Sequence, residues 1–348
     1  MKDKFFYVLT GNNDSTFIVN VSSIKAIKMS FYFYKSRSIK MQIAKHIFVY
    51  CLYFYFRLIP SRFLTKKQVN NYLVDKTGLD LDYCLDRKCS VLISPTKDKI
   101  IVNHDNDYFQ KFAIGDSHKN VKNEIEIYKL LKNKKKYFTN STLSEDVIDL
   151  NLGYCTFKLT NEITYKRVKI KKDSIVLALI ELFGTNKNHN IPFEDYINDL
   201  KSRLDSLEIS NLSKINEKLE KARKKYGSMD IILGFVHRDF KPWNIVMQKP
   251  ILIYDFEHAI INGPPLEDLF NYNIEPKIKY SSPKELYNFS FSTLQVKLYS
   301  KYLKALKINL NLETLFFTYL VERMIFWHKL NDADTFYAYE KFTNYIIN

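Results

Sequence analysis

The segment "GFVHRDFKPWNIVMQKPILIYDFEHA", residues 234–259, places polar side chains between runs of apolar, strand-forming residues. Polar groups are costly to bury without hydrogen-bond partners, so the pattern is typical of either a surface loop or the floor of an active site. Residues 245–247 and 251–254 are short β-prone runs, and the Gln-Lys-Pro sequence between them predicts a turn. The segment therefore predicts an antiparallel hairpin that follows directly on a polar loop.

The predicted hairpin brings three oxygen-bearing side chains to one end. Asn244 comes just before its first strand and Asp255 just after its second, so these two should meet at the open end, where Asp239 also enters. A carboxylate and an amide oxygen are ligands suited to Mg²⁺. A carboxylate that is not a ligand can accept a proton from an incoming hydroxyl. Lys241 offers a point charge for a phosphate oxygen.

The segments "HRDFKPWN" and "YDFEHA" together resemble the catalytic loop and metal-binding segment of the protein-kinase-like fold. The chain looks most similar to the aminoglycoside phosphotransferase and choline kinase family, which also favours a Gly-Pro turn and Asp-Leu, as in "NGPPLEDLF" at residues 262–270. The resemblance implies an α+β, protein-kinase-like bilobal fold, with a small antiparallel-sheet N-lobe carrying one helix and a larger, mainly helical C-lobe. It also implies that Asp268 braces the catalytic loop.

The same resemblance implies that ATP is the phosphoryl donor, that Mg²⁺ is the metal, and that a small-molecule hydroxyl is the acceptor. In that reaction Asp239 would orient and deprotonate the hydroxyl, and Lys241 would neutralise the moving phosphoryl group. Asn244 and Asp255 would hold Mg²⁺.

A lysine on an N-lobe strand, paired with a helical glutamate, is a further implication of the resemblance. Lys111 lies in the alternating segment "YFQKFAIG", and the helix predicted after it offers Glu124 and Glu126. At about 100° per residue, Glu124 falls within the apolar arc of that helix and Glu126 falls outside it. Because a charge on a buried face needs an opposite partner, we expect Lys111 to pair with Glu124 and to hold the nucleotide phosphates.

Two departures from protein kinases favour a small-molecule kinase. The first predicted hairpin of the N-lobe reads "SPTKDK", with no Gly where protein kinases carry a Gly-rich flap, and no Ala-Pro-Glu follows "DFE". A protein Ser/Thr kinase and a nucleotide-binding pseudokinase scaffold are the alternatives. The presence of the full set of expected site residues argues against the scaffold.

The sequence pattern divides the chain into three segments. We expect an N-terminal extension of unknown role over residues 1–85, the N-lobe over 86–160, and the C-lobe with the catalytic loop over 161–348. Three strands are predicted within residues 90–114 and a helix at about 118–132, and helices dominate after about residue 165.

Composition limits the partners. The chain of 348 residues is 46 % apolar and should be globular. Its formal charge is +15, yet only nine of its 53 basic residues are Arg and the Lys are scattered, so nucleic acid is not expected as a partner. Four Cys without metal-ligand spacing, and no signal peptide, favour a cytoplasmic protein with reduced thiols.

Residues 31–60 are rich in aromatic and basic side chains, a composition that also occurs in segments that contact membranes. The apolar run at residues 47–56 is about half the length of a spanning helix and predicts a buried helix. The alternative is a helix lying on a membrane surface, in peripheral contact with lipid or with a lipid-linked substrate.

The acceptor is the least determined part of the function. The resemblance implies aminoglycosides, choline or ethanolamine, homoserine-like metabolites, or sugars of lipid and polysaccharide assembly. The helical part offers acids that a polycationic aminoglycoside would need, namely Glu194, Asp195, Asp199, Glu267 and Asp268. Because the chain as a whole is basic and its N-terminal extension is aromatic and basic, we rank a glycan or lipid-precursor sugar first. For Trp243, Trp327 and His258 the alternatives are packing, which we expect, and lining an acceptor pocket. Loop bracing is the expected role of His237.

Overall fold

The computed structural model describes residues 4–10, 15–31, 39–59, 62–85, 89–94, 98–104, 108–131, 135–140, 142–149, 154–158, 172–185, 189–246 and 249–348. The chain divides into two compact units. The first, which we call the strand-rich unit, comprises Met1–Lys132 and Ser141–Tyr165. The second, which we call the helical unit, comprises Asn133–Asn140 and Lys166–Asn348.

The strand-rich unit is built on one antiparallel sheet. Its strands are β1 (Lys4–Thr10), β2 (Thr16–Asn20), β3 (Leu64–Thr65), β4 (Cys89–Ile93), β5 (Lys99–His104) and β6 (Tyr108–Ala113), then, after β7 (Phe138–Asn140) of the helical unit, β8 (Thr142–Asp149) and β9 (Tyr154–Lys158). Their order in the sheet is β3-β1-β2-β4-β5-β6-β9-β8. Its helices are α1 (Ile24–Ser30), α2 (Ile39–Leu58), α3 (Lys66–Thr77) and α4 (His118–Leu130).

The elements expected within residues 86–160 are present. The three predicted strands are β4, β5 and β6, and they pair in sequence order. The predicted helix is α4, which buries the apolar arc read from its periodicity. Strand β8 was not predicted and follows the short β7 directly along the chain.

Strands β1, β2 and β3, all within residues 1–85, belong to the same sheet. Strand β2 pairs with β4, with Thr16 opposite Ile93, and β1 pairs with β2 and β3. Helix α3 packs beneath these strands, so that Leu73 shares a core with Phe6 and Val91. The described strands and α3 of the segment expected as an extension are thus integral to the sheet and core of the strand-rich unit.

The helical unit contains eight of the helices that the structure describes and six short strands. The helices are α5 (Lys172–Phe183), α6 (Phe193–Leu204), α7 (Leu212–Tyr226), α8 (Glu267–Ile274), α9 (Pro283–Ser290), α10 (Thr293–Ala305), α11 (Leu312–Lys329) and α12 (Ala333–Ile347). The strands are β7, β10 (His189–Pro192), β11 (Asp230–Val236), β12 (Ile245–Val246), β13 (Ile251–Ile253) and β14 (Ile260–Gly263), in sheets ordered β10-β11-β14 and β12-β13-β7. The α+β class expected from the sequence is confirmed, because an antiparallel sheet is followed by a mainly helical part.

Two glycines fix the strand that leads into the polar loop. Gly234 of β11 lies opposite Gly263 of β14. A Cβ atom on Gly234 would lie 2.7 Å from the carbonyl oxygen of Phe183, and one on Gly263 would lie 2.5 Å from Cγ2 of Val236. Because only glycine allows this close approach, β11 packs tightly against α5 and β14 just before residue 237.

Across the described ranges, the structure contains no helix whose length and apolar character would let it cross a membrane.

Candidate active site

Asp239 lies in the loop between β11 and β12, and both of its carboxylate oxygens have partners. Nζ of Lys241 lies 2.5 Å from Oδ1. The side-chain amide of Asn244 donates to Oδ2 at 2.7 Å, and also to the backbone carbonyl of Asp239 at 2.9 Å. The Asp239 side chain is 14 % exposed, so its carboxyl group is oriented at two points and still reachable.

The hairpin predicted after this loop is present and has the expected register. Ile245 lies opposite Ile253. The next pair outward is Asn244 and Tyr254, and the backbone N–H of Tyr254 donates to the carbonyl oxygen of Asn244 at 3.2 Å. Asp255 follows at once, with a left-handed φ of 69°. Residues other than glycine rarely adopt this conformation, and those that do concentrate at functional sites.

His237 joins the loop to the hairpin. Its Nε2 lies 3.0 Å from the carbonyl oxygen of Tyr254, and its Nδ1 accepts from the backbone N–H of Asp239 at 3.3 Å. These contacts place the ring proton on Nε2. Burial lowers the pKa of His237, while the carboxylate of Asp239 acts in the opposite direction. A neutral imidazole therefore braces the loop, as expected from the sequence.

Asp268 holds the start of the loop through the backbone. Its Oδ2 accepts from the N–H of His237 at 2.7 Å and its Oδ1 accepts from the N–H of Arg238 at 2.9 Å. Burial raises the pKa of Asp268 to about 8, and the two backbone donors act against that rise. Because Asp268 lies in the first turn of α8, this contact ties the loop to the helix.

A buried arginine on α11 also supports the loop, and it was not among the residues predicted from the sequence. Arg323 on α11 has no solvent exposure. Its Nη1 donates to the carbonyl oxygen of Arg238 at 2.8 Å, and its Nη2 donates to Oε2 of Glu275 at 3.3 Å. The other oxygen of Glu275 lies 3.7 Å from Nζ of Lys241. Opposite charges thus alternate from α11 to Asp239.

The same network continues toward the surface of the unit. Arg238 lies 3.3 Å from Glu267 and 3.6 Å from Glu322. Arg203 on α6 closes the network with a two-pronged contact to Glu322 at 2.7 and 2.9 Å. Although burial alone would raise it, the pKa of Glu322 is held below its usual value by Arg203. A signal was present in "LVERMIF" of α11, where two adjacent charges interrupt an apolar run and therefore require buried partners.

In the strand-rich unit, Lys111 on β6 and Glu124 on α4 form a buried ion pair. Nζ of Lys111 lies 2.6 Å from Oε2 of Glu124, and the two side chains are 3 % and 2 % exposed. Glu126 instead pairs with Lys129 at 3.1 Å on the exposed side of the helix, where it is 54 % exposed. Helical periodicity therefore identified the correct partner of Lys111, whose role toward a nucleotide stays a prediction.

Two tryptophans flank Lys241. Its Nζ lies 5.7 Å from the ring centre of Trp243 and 5.0 Å from that of Trp327. Trp327 also packs against Arg323, and its buried indole N–H has no hydrogen-bond partner among the residues that the structure describes. His258 packs edge-on against Phe326 at 5.2 Å. All three side chains have the packing role expected, and Trp327 in addition keeps an unused donor.

Comparisons with protein-family models and with curated protein sequences give no match. Solved structures do match, and they include aminoglycoside phosphotransferases, the family that the motifs resemble. This chain is similar to them. The gentamicin complex of APH(2″)-IIa is 16 % identical, with 71 % of this chain and 90 % of that chain covered and a TM-score of 0.42. ADP-bound APH(2″)-Ib is 15 % identical, with 71 % and 90 % covered and a TM-score of 0.41.

A third similar structure is a thermostable mutant of APH(4)-Ia in a ternary complex with ADP and hygromycin B. It is 9 % identical to this chain, with 80 % of this chain and 97 % of that chain covered and a TM-score of 0.44.

Proposed function

We propose that this chain transfers the γ-phosphoryl group of ATP to a hydroxyl of a small molecule, with Asp239 as the general base. The observation that carries the proposal is the two-point orientation of its carboxyl group, by Lys241 at 2.5 Å and by Asn244 at 2.7 Å. A carboxylate positioned in this way can accept the proton of an incoming hydroxyl.

In the proposed reaction the acceptor oxygen forms a bond to the γ-phosphorus while the bond from that phosphorus to the β,γ-bridging oxygen breaks. ADP leaves, and the proton of the hydroxyl passes to Asp239. Lys241 lies next to the base and would balance the charge of the transferred group. Most of the acceleration in phosphoryl transfer comes from such positioning and charge neutralisation.

The donor set of Asn244 and Asp255 fits Mg²⁺. Because the amide nitrogen of Asn244 is engaged by Asp239, its Oδ1 is the atom suited to a metal, and the carboxylate of Asp255 is a second hard oxygen ligand. Mg²⁺ bound there would supply positive charge against the phosphate oxygens of ATP. We assign Lys111, held by Glu124, to the α- and β-phosphates.

We propose a sugar of a glycan or lipid precursor as the acceptor, in preference to an aminoglycoside. A polycationic acceptor needs acids that are available for binding, but four of the five acids expected to serve it are already engaged within the helical unit. These are Glu194 with Arg223, Asp199 with Arg203, Glu267 with Arg238, and Asp268 with the backbone of residues 237 and 238. The formal charge of +15 suits instead a sugar that carries an anionic substituent.

The proposal is tested by incubating the chain with Mg²⁺ and γ-labelled ATP against a panel of neutral sugars, sugar phosphates, amino-alcohols and aminoglycosides. We expect labelled product from a sugar. We also expect Mg·ATP to stabilise the folded state by about 2.7 kcal/mol at a concentration 100 times its dissociation constant. Stabilisation without transfer to any acceptor would support a nucleotide-binding scaffold, and label in a generic protein substrate would support a protein kinase. Absence of both stabilisation and label would exclude all three.

A further inference from the structure

Helix α2 is apolar on two opposite faces. One face packs into a core, where Val49 and Leu52 meet Val19, Ile27 and Phe63. The other face carries large apolar side chains spaced four, three, four and four residues apart, which places them on a single line about 22 Å long. We call this line the outer stripe, and its members, with their exposed fractions, are Ile43 (55 %), Ile47 (59 %), Tyr50 (44 %), Phe54 (60 %) and Leu58 (79 %).

The outer stripe is unusual for a helix on the surface of a globular protein. Such helices ordinarily carry charged and polar side chains on the face that meets water. A helix that is apolar all round is instead covered on every side, or lies in a membrane. Helix α2 is not long and apolar enough to cross a bilayer. A helix half embedded in its own core can still lie flat, with the opposite face at the boundary between headgroups and acyl chains.

The charge around α2 identifies the kind of surface that fits. Residues 15–74 contain ten of the chain's 53 Lys and Arg and none of its 38 Asp and Glu, so they carry +10 of the total formal charge of +15. The other 288 residues together carry only +5. Two exposed cations lie beside the outer stripe. Nζ of Lys28 lies 5.4 Å from the ring centre of Tyr50, and Arg57, next to Leu58, lies 4.8 Å from the ring of Tyr53.

We propose that the outer stripe and its flanking cations form a docking surface for an anionic phospholipid bilayer. The apolar side chains would enter the headgroup and acyl boundary while Lys28 and Arg57 remain among the phosphates. A second copy of this chain is a poorer occupant, because it would bring the same flanking cations, Lys28 and Arg57, against each other, and residues 15–74 contain no Asp or Glu to pair with them. Docking of this kind is independent of the phosphotransfer chemistry, and it gives a defined surface to the alternative of peripheral membrane contact for residues 31–60.

The test is sedimentation of the purified full chain with vesicles of phosphatidylcholine alone or with about 30 % phosphatidylglycerol. The stripe variant is Ile47→Ser with Phe54→Ser, and its matched control is Leu294→Ser with Tyr337→Ser, which changes equally exposed residues of the helical unit. The charge variant is Lys28→Glu with Arg57→Glu, and its control is Lys284→Glu with Lys297→Glu. All eight positions are exposed or largely exposed, so melting temperatures should stay close to that of the wild type.

We expect the wild type and both controls to sediment with anionic vesicles and much less with neutral ones. The partition coefficient should fall at least about tenfold in the stripe variant. In the charge variant the partition coefficient should fall about fivefold for each cation removed. High salt should lower the partition coefficient further. Equal recovery of the wild type with both kinds of vesicle, or recovery of the stripe variant at the wild-type level, would overturn the proposal. A wild-type dimer that the stripe variant abolishes, without vesicle binding, would overturn it in favour of self-association.

Discussion

Replacing Glu124 with Gln tests the buried ion pair of the strand-rich unit. The change removes a negative charge 2.6 Å from Nζ of Lys111, where both side chains are almost fully buried. Breaking such a pair by removing one partner costs about 3–5 kcal/mol, because the remaining charge has lost its solvation. Gln keeps the shape and one acceptor oxygen, so we expect the lower end, about 3 kcal/mol. The matched change Glu126→Gln lies two residues away on α4, at a 54 % exposed pair, and should cost less than about 1 kcal/mol.

The assay is urea unfolding followed by circular dichroism. With an m-value of about 2 kcal/mol per molar urea, a loss of about 3 kcal/mol lowers the unfolding midpoint by about 1.5 M. The midpoint of Glu126→Gln should lie close to that of the wild type, and only Glu124→Gln should raise the KM for ATP. Equal midpoints for the two variants would refute the reasoning about Lys111 and its partner.

Three further changes address the helical unit. Arg323→Met removes the guanidinium 3.3 Å from Glu275 and should lower the free energy of unfolding by about 3 kcal/mol in the same urea assay; a loss below about 1 kcal/mol would contradict the supporting role of Arg323. Burial lowers the pKa of His237 in the folded chain below the ordinary value of 6.5. As the pH falls below 6.5, the unfolded chain is therefore protonated at this residue before the folded chain is. The free energy of unfolding decreases as a result. The stability difference between wild type and His237→Gln should therefore shrink by up to about 1.4 kcal/mol per pH unit below that value, and a pH-independent difference would count against the assignment. Asn244→Ala should raise the Mg²⁺ concentration that gives half-maximal turnover at least about tenfold at fixed ATP. An unchanged Mg²⁺ concentration would show that Asn244 is not a metal ligand.

The parts of the site that follow from local sequence pattern could be predicted. The hairpin after the polar loop could be predicted because two β-prone runs flank a turn. The pairing of its two strands places Asn244 next to Tyr254 and Asp255. The choice of Glu124 was readable because helical periodicity alone separates it from Glu126. In both cases the relevant distance lies within one hairpin or one helix.

The parts that depend on packing between distant elements could not be predicted. Arg323 contacts the carbonyl oxygen of a residue 85 positions earlier, and Glu275 is 48 positions from it. The adjacent charges Glu322 and Arg323 required buried partners, but only the packing of α11 on the loop decides which partners they are. The pairing of β2 with β4 is likewise non-local, so the sequence pattern around residue 85 resembled a boundary even though the sheet continues across it.

The most direct measurement of the proposed function compares Asp239→Asn with the wild type in both nucleotide binding and turnover. Asn keeps the shape of the side chain but cannot take a proton, and Asp334→Asn, at an exposed position of α12, is the matched control. With an acceptor found in the panel, we expect Asp239→Asn to bind Mg·ATP with unchanged affinity in calorimetry and to transfer the labelled phosphoryl group about 10²–10⁴-fold more slowly. Transfer by Asp239→Asn at the rate of the wild type and of Asp334→Asn would contradict the assignment of Asp239 as the base.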